Sequence, residues 1–188
     1  MAEGTLHDAF IDELRDTYHA ENQLIKALPK MAKAASNPRL AAAFRAHLEE
    51  TRGQVARLER VFASLGEKVS GKPCDGMKGI IEEGKSIMEE DFDDETMDAC
   101  LIAAGQRAEH YEMAAYGTLV AWAQAMGHTT AARLLQQNLN EEGAADKKLS
   151  GLAESGINQR AADMAHGEDE EDDAPARRKK SKGGKKRR

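Results

Sequence analysis

At 188 residues the chain has room for one domain plus a tail. It is 40% hydrophobic and 32% charged but only 4% aromatic, rich in Ala, Leu, Glu and Lys and poor in β-branched runs, which excludes a sheet protein and favours helices with solvated outer faces. The net charge of −6 conceals two opposed blocks, six consecutive acids at Glu168–Asp173 and a strongly basic end at Arg177–Arg188. No stretch is long and apolar enough for a membrane span, and the start MAEGTLHDAF does not read as a secretory signal. Cys74 and Cys100 stand far apart without CxxC spacing, so the expectation is a reduced, cytoplasmic protein.

In chain order, the first predicted helix runs from about Thr5 to Lys33, with Leu6, Phe10, Leu14, Thr17, Glu21, Leu24, Leu28 and Met31 spaced by three or four. Pro29 sits late in it, as a kink or an end. Asn37-Pro38 gives a cap and a first position for the second helix. That helix carries Leu40, Phe44, His47, Gln54, Leu58, Val61 and Leu65 and stops at Gly66. Residues 67–95 interrupt the pattern with five glycines or prolines and one short amphipathic segment, Met77–Glu90. A connection of that length fits a bundle with one end-to-end crossover. The third long helix spans about Asp94–Met126 and the fourth about Thr129–Ala153; from Gly156 the sequence turns polar, and Ala161–Arg188 is expected to lack fixed structure.

The two halves read as a diverged duplication. Tyr18-His19-Ala20-Glu21 aligns with Glu109-His110-Tyr111-Glu112, and Glu49-Glu50-Thr51 with Glu141-Glu142-Gly143, at nearly equal separations. Glu21, Glu50, Glu112 and Glu142 thus fall on the apolar stripes of the four long helices. Carboxylates there are costly unless paired, protonated or bound to a cation, and no Lys or Arg shares the inner face of the first two helices within one turn. Two divalent ions would neutralise four such charges. Glu109 and Asp146 lie one turn from Glu112 and Glu142, and His47 and Gln54 flank Glu50, so all four join the candidate ligand set. In helical bundles, di-metal sites draw one Glu from each of two helices and Glu-x-x-His from the other two.

Four segments, TYHAENQLIKAL (17–28), HLEETRGQ (47–54), EHYEMAAYGTL (109–119) and EEGAADKKL (141–149), together resemble the YciE/YciF family of the ferritin-like superfamily, over about residues 5–160. The resemblance implies an all-α, ferritin-like antiparallel four-helix bundle over residues 1–160, a homodimer, a di-iron or di-manganese centre and a stress-linked role. The sequence departs from the superfamily pattern where Gly53 and Ala145 stand three beyond Glu50 and Glu142, in place of His; Gln54 and Asp146 follow one position later. Such an oxygen-rich set suits iron or manganese over zinc or copper.

The expected function is a di-metal carboxylate protein with oxidase-, peroxidase- or catalase-like activity. The alternative is a non-enzymatic dimeric scaffold whose basic tail, Arg177, Arg178, Lys179, Lys180, Lys182, Lys185, Lys186, Arg187 and Arg188, contacts DNA phosphates without reading sequence. Tyr18, Tyr111, Tyr116 and Trp122 are assigned to core packing, His19 and His110 to the outer face, and Cys74 to an incidental free thiol. Ile11, Ile25, Ile102, Met113 and Val120 form second apolar faces, covered by the crossover or by a second copy.

Overall fold

A computed structural model describes residues 4–172. Its helices are α1 (Leu6–Ala34), α2 (Pro38–Leu65), α3 (Asp75–Met88), α4 (Asp94–Ala125), α5 (Thr129–Leu152) and α6 (Asn158–Asp172). The local chemistry of the ends explains the boundaries. Thr5 and Asp8 form a reciprocal capping box, Asn37 and Asp93 accept from the first free amides of α2 and α4, and Gly66 closes α2 at φ 72°. Pro29 does not end α1: it lies on the exposed side of the helix, where its ring meets solvent rather than a packed neighbour.

The long helices form an antiparallel four-helix bundle in which two apolar clusters fill opposite ends. One joins Phe10, Ile11 and Leu14 of α1 with Leu58, Val61 and Phe62 of α2, Leu119 and Val120 of α4, and Leu134 and Leu135 of α5. The other joins Leu24, Leu28 and Met31 with Leu40 and Phe44, Leu101 and Ile102, and Leu149 and Leu152. The start of α1 therefore sits beside the ends of α2 and α4, and α2 and α4 run parallel across the diagonal. A parallel pair needs a connection that returns the length of the bundle. Residues 66–93 provide it, with α3 laid over α1 and α4. Ile11, Ile102 and Val120 are buried within the chain itself.

Asp98 ties the crossover's landing point to the α1–α2 corner. Its two carboxylate oxygens accept from the backbone amides of Ser36 (2.9 Å) and Asn37 (2.8 Å), which the turn leaves without helical partners. Asp98→Ala is expected to lower stability by about 1–2 kcal/mol in urea unfolding, since two part-buried backbone amides lose a charged acceptor.

Beyond the bundle the polar residues 158–172 are helical, forming α6. A π-helical turn at Ala153–Ile157 redirects the chain, using Gly156 at φ 123°, a conformation L side chains rarely adopt. Ile157 then anchors the new direction in the core, and Arg160 Nε pairs with Glu95 at 3.1 Å. Arg177–Arg188 lie outside the described residues, as does Asp173. Among the described residues, no helix is long and apolar enough to cross a membrane.

Candidate metal centre

Between the two apolar clusters, each long helix delivers polar side chains to one layer: Glu21 from α1, His47, Thr51 and Gln54 from α2, Glu109 and Glu112 from α4, and Asn138 and Glu142 from α5, all buried. Periodicity explains the grouping, because positions three or four apart share a helix face. One ligand atom each from His47, Glu109, Glu112 and Glu142 lies within 4.8 Å of the others. His47 Nε2 is 3.2 Å from Glu109 Oε1 and 4.0 Å from Glu142 Oε2.

Two partners orient the surrounding carboxylates. The Tyr116 hydroxyl donates to Glu21 Oε1 while accepting from Asn138 Nδ2 at 2.9 Å. Gln54 Nε2 donates to Glu142 Oε1. The oxygens that remain, Glu21 Oε2, Glu109 Oε2, both of Glu112 and Glu142 Oε2, are buried with no hydrogen-bond partner. Among the described residues, no Lys or Arg pairs with any of these four glutamates, and the nearby Arg57 is taken up by Glu141. Buried carboxylate oxygens facing one another without donors are the donor set of a hard cation, so the residues fit a metal.

Without such an ion the layer holds protons instead. Burial, then the neighbouring Glu142, raises Glu21 well above the carboxylate range, although the Tyr116 hydroxyl opposes the shift. Burial, then Glu142, Glu21 and Glu109, does the same to Glu112. Burial and a hydrogen bond to Glu142 push Glu109 up to about 11. Glu142 is raised by burial and held back by Glu109, His47 and Gln54, so it is the member best able to stay ionised.

Of the residues expected as ligands, the structure brings together Glu21, His47, Gln54, Glu109, Glu112 and Glu142. Gln54 donates its amide nitrogen to Glu142, and its Oε1 is buried without a partner. Glu50 stays outside: its carboxylate is 47% exposed and 3.5 Å from His47 Nδ1. The inner face of α2 passes through Thr51 instead, whose hydroxyl returns to the His47 carbonyl at 2.9 Å. Asp146 is likewise displaced, held at the edge by Gln106 (2.9 Å) and facing His110 at 3.3 Å, with Ala145 buried in its place. Tyr116 and Asn138 were missed as site residues. Tyr116 stands one turn beyond Glu112 on the same face, and that spacing was the available signal.

His47 marks the way in. A cavity of about 20 Å³, bounded by Phe44, His47, Glu50, Glu109, Lys148 and Leu149 among others, opens beside it. That is room for about one water molecule.

The family described as Domain of unknown function (DUF892) matches residues 5–162. Protein YciF of Escherichia coli K12 is 47% identical over 162 residues, covering 86% of this chain and 98% of that protein. The crystal structure of the E. coli stress protein YciF superposes with a TM-score of 0.80, covering 83% of this chain and 99% of that one. YcfI of Rhodopseudomonas palustris follows at 0.77 with 46% identity, covering 78% and 94%. A Xanthomonas campestris pv. campestris structure, at 19% identity and a TM-score of 0.66, shares the fold alone. With the bundle, the crossover and the sequence in agreement, the chain belongs to the YciE/YciF family, the family of DUF892.

Proposed function

We propose that the buried layer binds two iron or manganese ions and that the protein, like the E. coli protein described as a stress protein, serves oxidative defence by reducing peroxide or oxygen. The observation that carries this reading is the set of donorless, buried carboxylate oxygens around His47, Glu109, Glu112 and Glu142. The metals supply the redox equivalents. The chain supplies geometry, proton movement and exclusion of water.

Glu112 and Glu142, on the neighbouring helices α4 and α5, keep buried oxygens free and would hold the ions between them. Glu21 offers Oε2, because Tyr116 holds its other oxygen. Gln54 fixes Glu142 by the same logic, so that the layer stays arranged before a cation arrives. His47 connects inside to outside: Nδ1 faces the exposed Glu50 carboxylate, and Nε2 faces Glu109. Protons leaving or entering the layer can pass from Glu109 to His47 Nε2 and from Nδ1 to Glu50, which reaches solvent.

Metal-stripped protein titrated anaerobically with Fe(II) or Mn(II) is expected to take up two ions per chain in native mass spectrometry. His47→Ala is expected to weaken uptake roughly 10- to 100-fold. Failure of the wild type to bind either metal would overturn the reading.

A further inference from the structure

Beside the metal layer, on the side covered by the crossover, a second group of oxidisable side chains has no role in the function above. Cys74 caps α3 with its sulfur, accepting from the Met77 amide at 3.4 Å, where Ser, Thr, Asp or Asn would be the usual choice. The thiol is buried, and its Sγ lies 3.1 Å from the Tyr111 hydroxyl. That hydroxyl also reaches Asp16 Oδ2 at 3.2 Å. The contact is held from every direction. The Cys74 amide donates to His19 Nδ1 (3.2 Å), and Gln23 Nε2 binds both that nitrogen (2.9 Å) and the Cys74 carbonyl (3.1 Å). On the far side the Tyr111 ring rests on Gly76 so closely that a Cβ there would come within 2.7 Å of it. Tyr111 directly precedes Glu112 on α4, so the pinned phenol is joined through one peptide bond to a residue of the metal layer.

We propose that Tyr111 and Cys74 form a one-electron relay by which oxidising equivalents leave the metal layer. Tyr111 gives up an electron to a peroxide-oxidised metal ion in the layer, and its phenolic proton passes to Asp16 Oδ2, leaving a neutral phenoxyl radical. Asp16 is partly exposed, so the proton has an exit to water. Cys74 then transfers the hydrogen atom of its S–H bond across the 3.1 Å contact, restoring the phenol and leaving the oxidising equivalent on Cys74 as a thiyl radical. Burial and the nearby Asp16 carboxylate keep Cys74 as the protonated thiol, the form that gives up a hydrogen atom rather than acting as a nucleophile. Tyr116 is an unsuitable exit even though it touches Glu21, because its proton faces an enclosed carboxylate and no thiol lies against it. The relay rests on metal binding in the layer as proposed above.

The test is freeze-quench electron paramagnetic resonance of the iron-loaded full chain after hydrogen peroxide, with iron content and oxidation state measured on the same samples. Cys74→Ser keeps an N-cap oxygen and a partner for Tyr111 but removes the weak S–H bond, so the fold is retained. It is expected to accumulate a tyrosyl radical at least fivefold above wild type. Adding Tyr111→Phe should abolish that signal, and Tyr116→Phe should leave it. In the wild type, peptide mass spectrometry should locate oxidation at Cys74. Equal radical yields in wild type and Cys74→Ser, or a signal that survives Tyr111→Phe, would overturn the relay while leaving the metal reading intact. Absence of bound iron would overturn both.

Discussion

Metal-stripped protein is expected to lose thermal stability as pH rises from about 5 to 8, and metal-loaded protein to gain it. The folded-state pKa values of Glu21, Glu109, Glu112 and Glu142 all lie above the unfolded value of 4.5, that of Glu109 at about 11. Above pH 4.5 the unfolded chain releases protons that the folded layer keeps, so the folded state binds more protons and stability falls with each rise in pH. The contribution is fully present below 4.5 and declines across the whole range towards the folded values. A group that keeps its proton while the unfolded chain releases it costs about 1.4 kcal/mol per pH unit, of order 3 kcal/mol across this range. At roughly 2–4 °C per kcal/mol for a chain of this size, the midpoint should drop by about 6–12 °C. A divalent cation reverses the sign, because binding releases those protons and is therefore stronger at high pH. Differential scanning calorimetry of stripped and manganese-loaded samples should give two curves that diverge with pH. Parallel curves would mean that the layer does not hold the cation.

Glu112→Gln should stabilise the metal-free protein and abolish tight metal binding at once. Glu112 is buried with both oxygens unsatisfied among three other acids, so it is a residue the fold itself would be better without. An amide of the same shape removes a potential charge and adds a donor that neighbouring carboxylates can accept. Replacing buried ionic groups by neutral ones of similar volume commonly raises stability by about 1–4 kcal/mol, and about 1–2 kcal/mol is expected here at pH 8. Calorimetric titration with Mn(II) should show affinity reduced by roughly 100-fold or more. If Glu112→Gln instead lowered the midpoint and bound metal normally, the residue would be structural. Stability traded for a site is a frequent mark of function.

Helix existence was legible from apolar spacing of three and four, and the ends of α2 from local chemistry, with Asn37 as cap and Gly66 as stop; the caps at Thr5 and Asp93 emerged with the structure. Glu21, Glu109, Glu112 and Glu142 were legible as inward residues for the same reason that Leu24 and Leu119 were, by helical spacing. That spacing is degenerate, and Glu50 shows its limit. From His47 to Gln54 the face can pass through residue 50 or residue 51, both in steps of three and four, and the likeness to Glu142 in the second half favoured 50. The structure takes Thr51, whose hydroxyl can satisfy itself on the His47 carbonyl, whereas a glutamate at the same place would add another buried acid. Asp146 fails for the parallel reason, with Ala145 facing inward. The Cys74–Tyr111–Asp16 contact was illegible, since it joins three separate segments through a crossover whose path depends on tertiary packing. The α6 helix was missed because Gly156 reads as a stop, and only a turn at positive φ lets the chain begin again.

The two apolar clusters meet only through the polar layer, which gives the bundle a seam across its middle. Each half has its own ring of leucines, and each long helix threads both halves like a dowel through two blocks. While the layer holds only protons, the halves are coupled through backbone continuity and a handful of side-chain hydrogen bonds, so local opening at either end need not involve the other. A cation ligated from α2, α4 and α5 would act as a rivet through the seam, making the halves one cooperative unit. With a metal bound as proposed, the ion would set the reach of cooperativity, and its loss would loosen the bundle from the centre outwards.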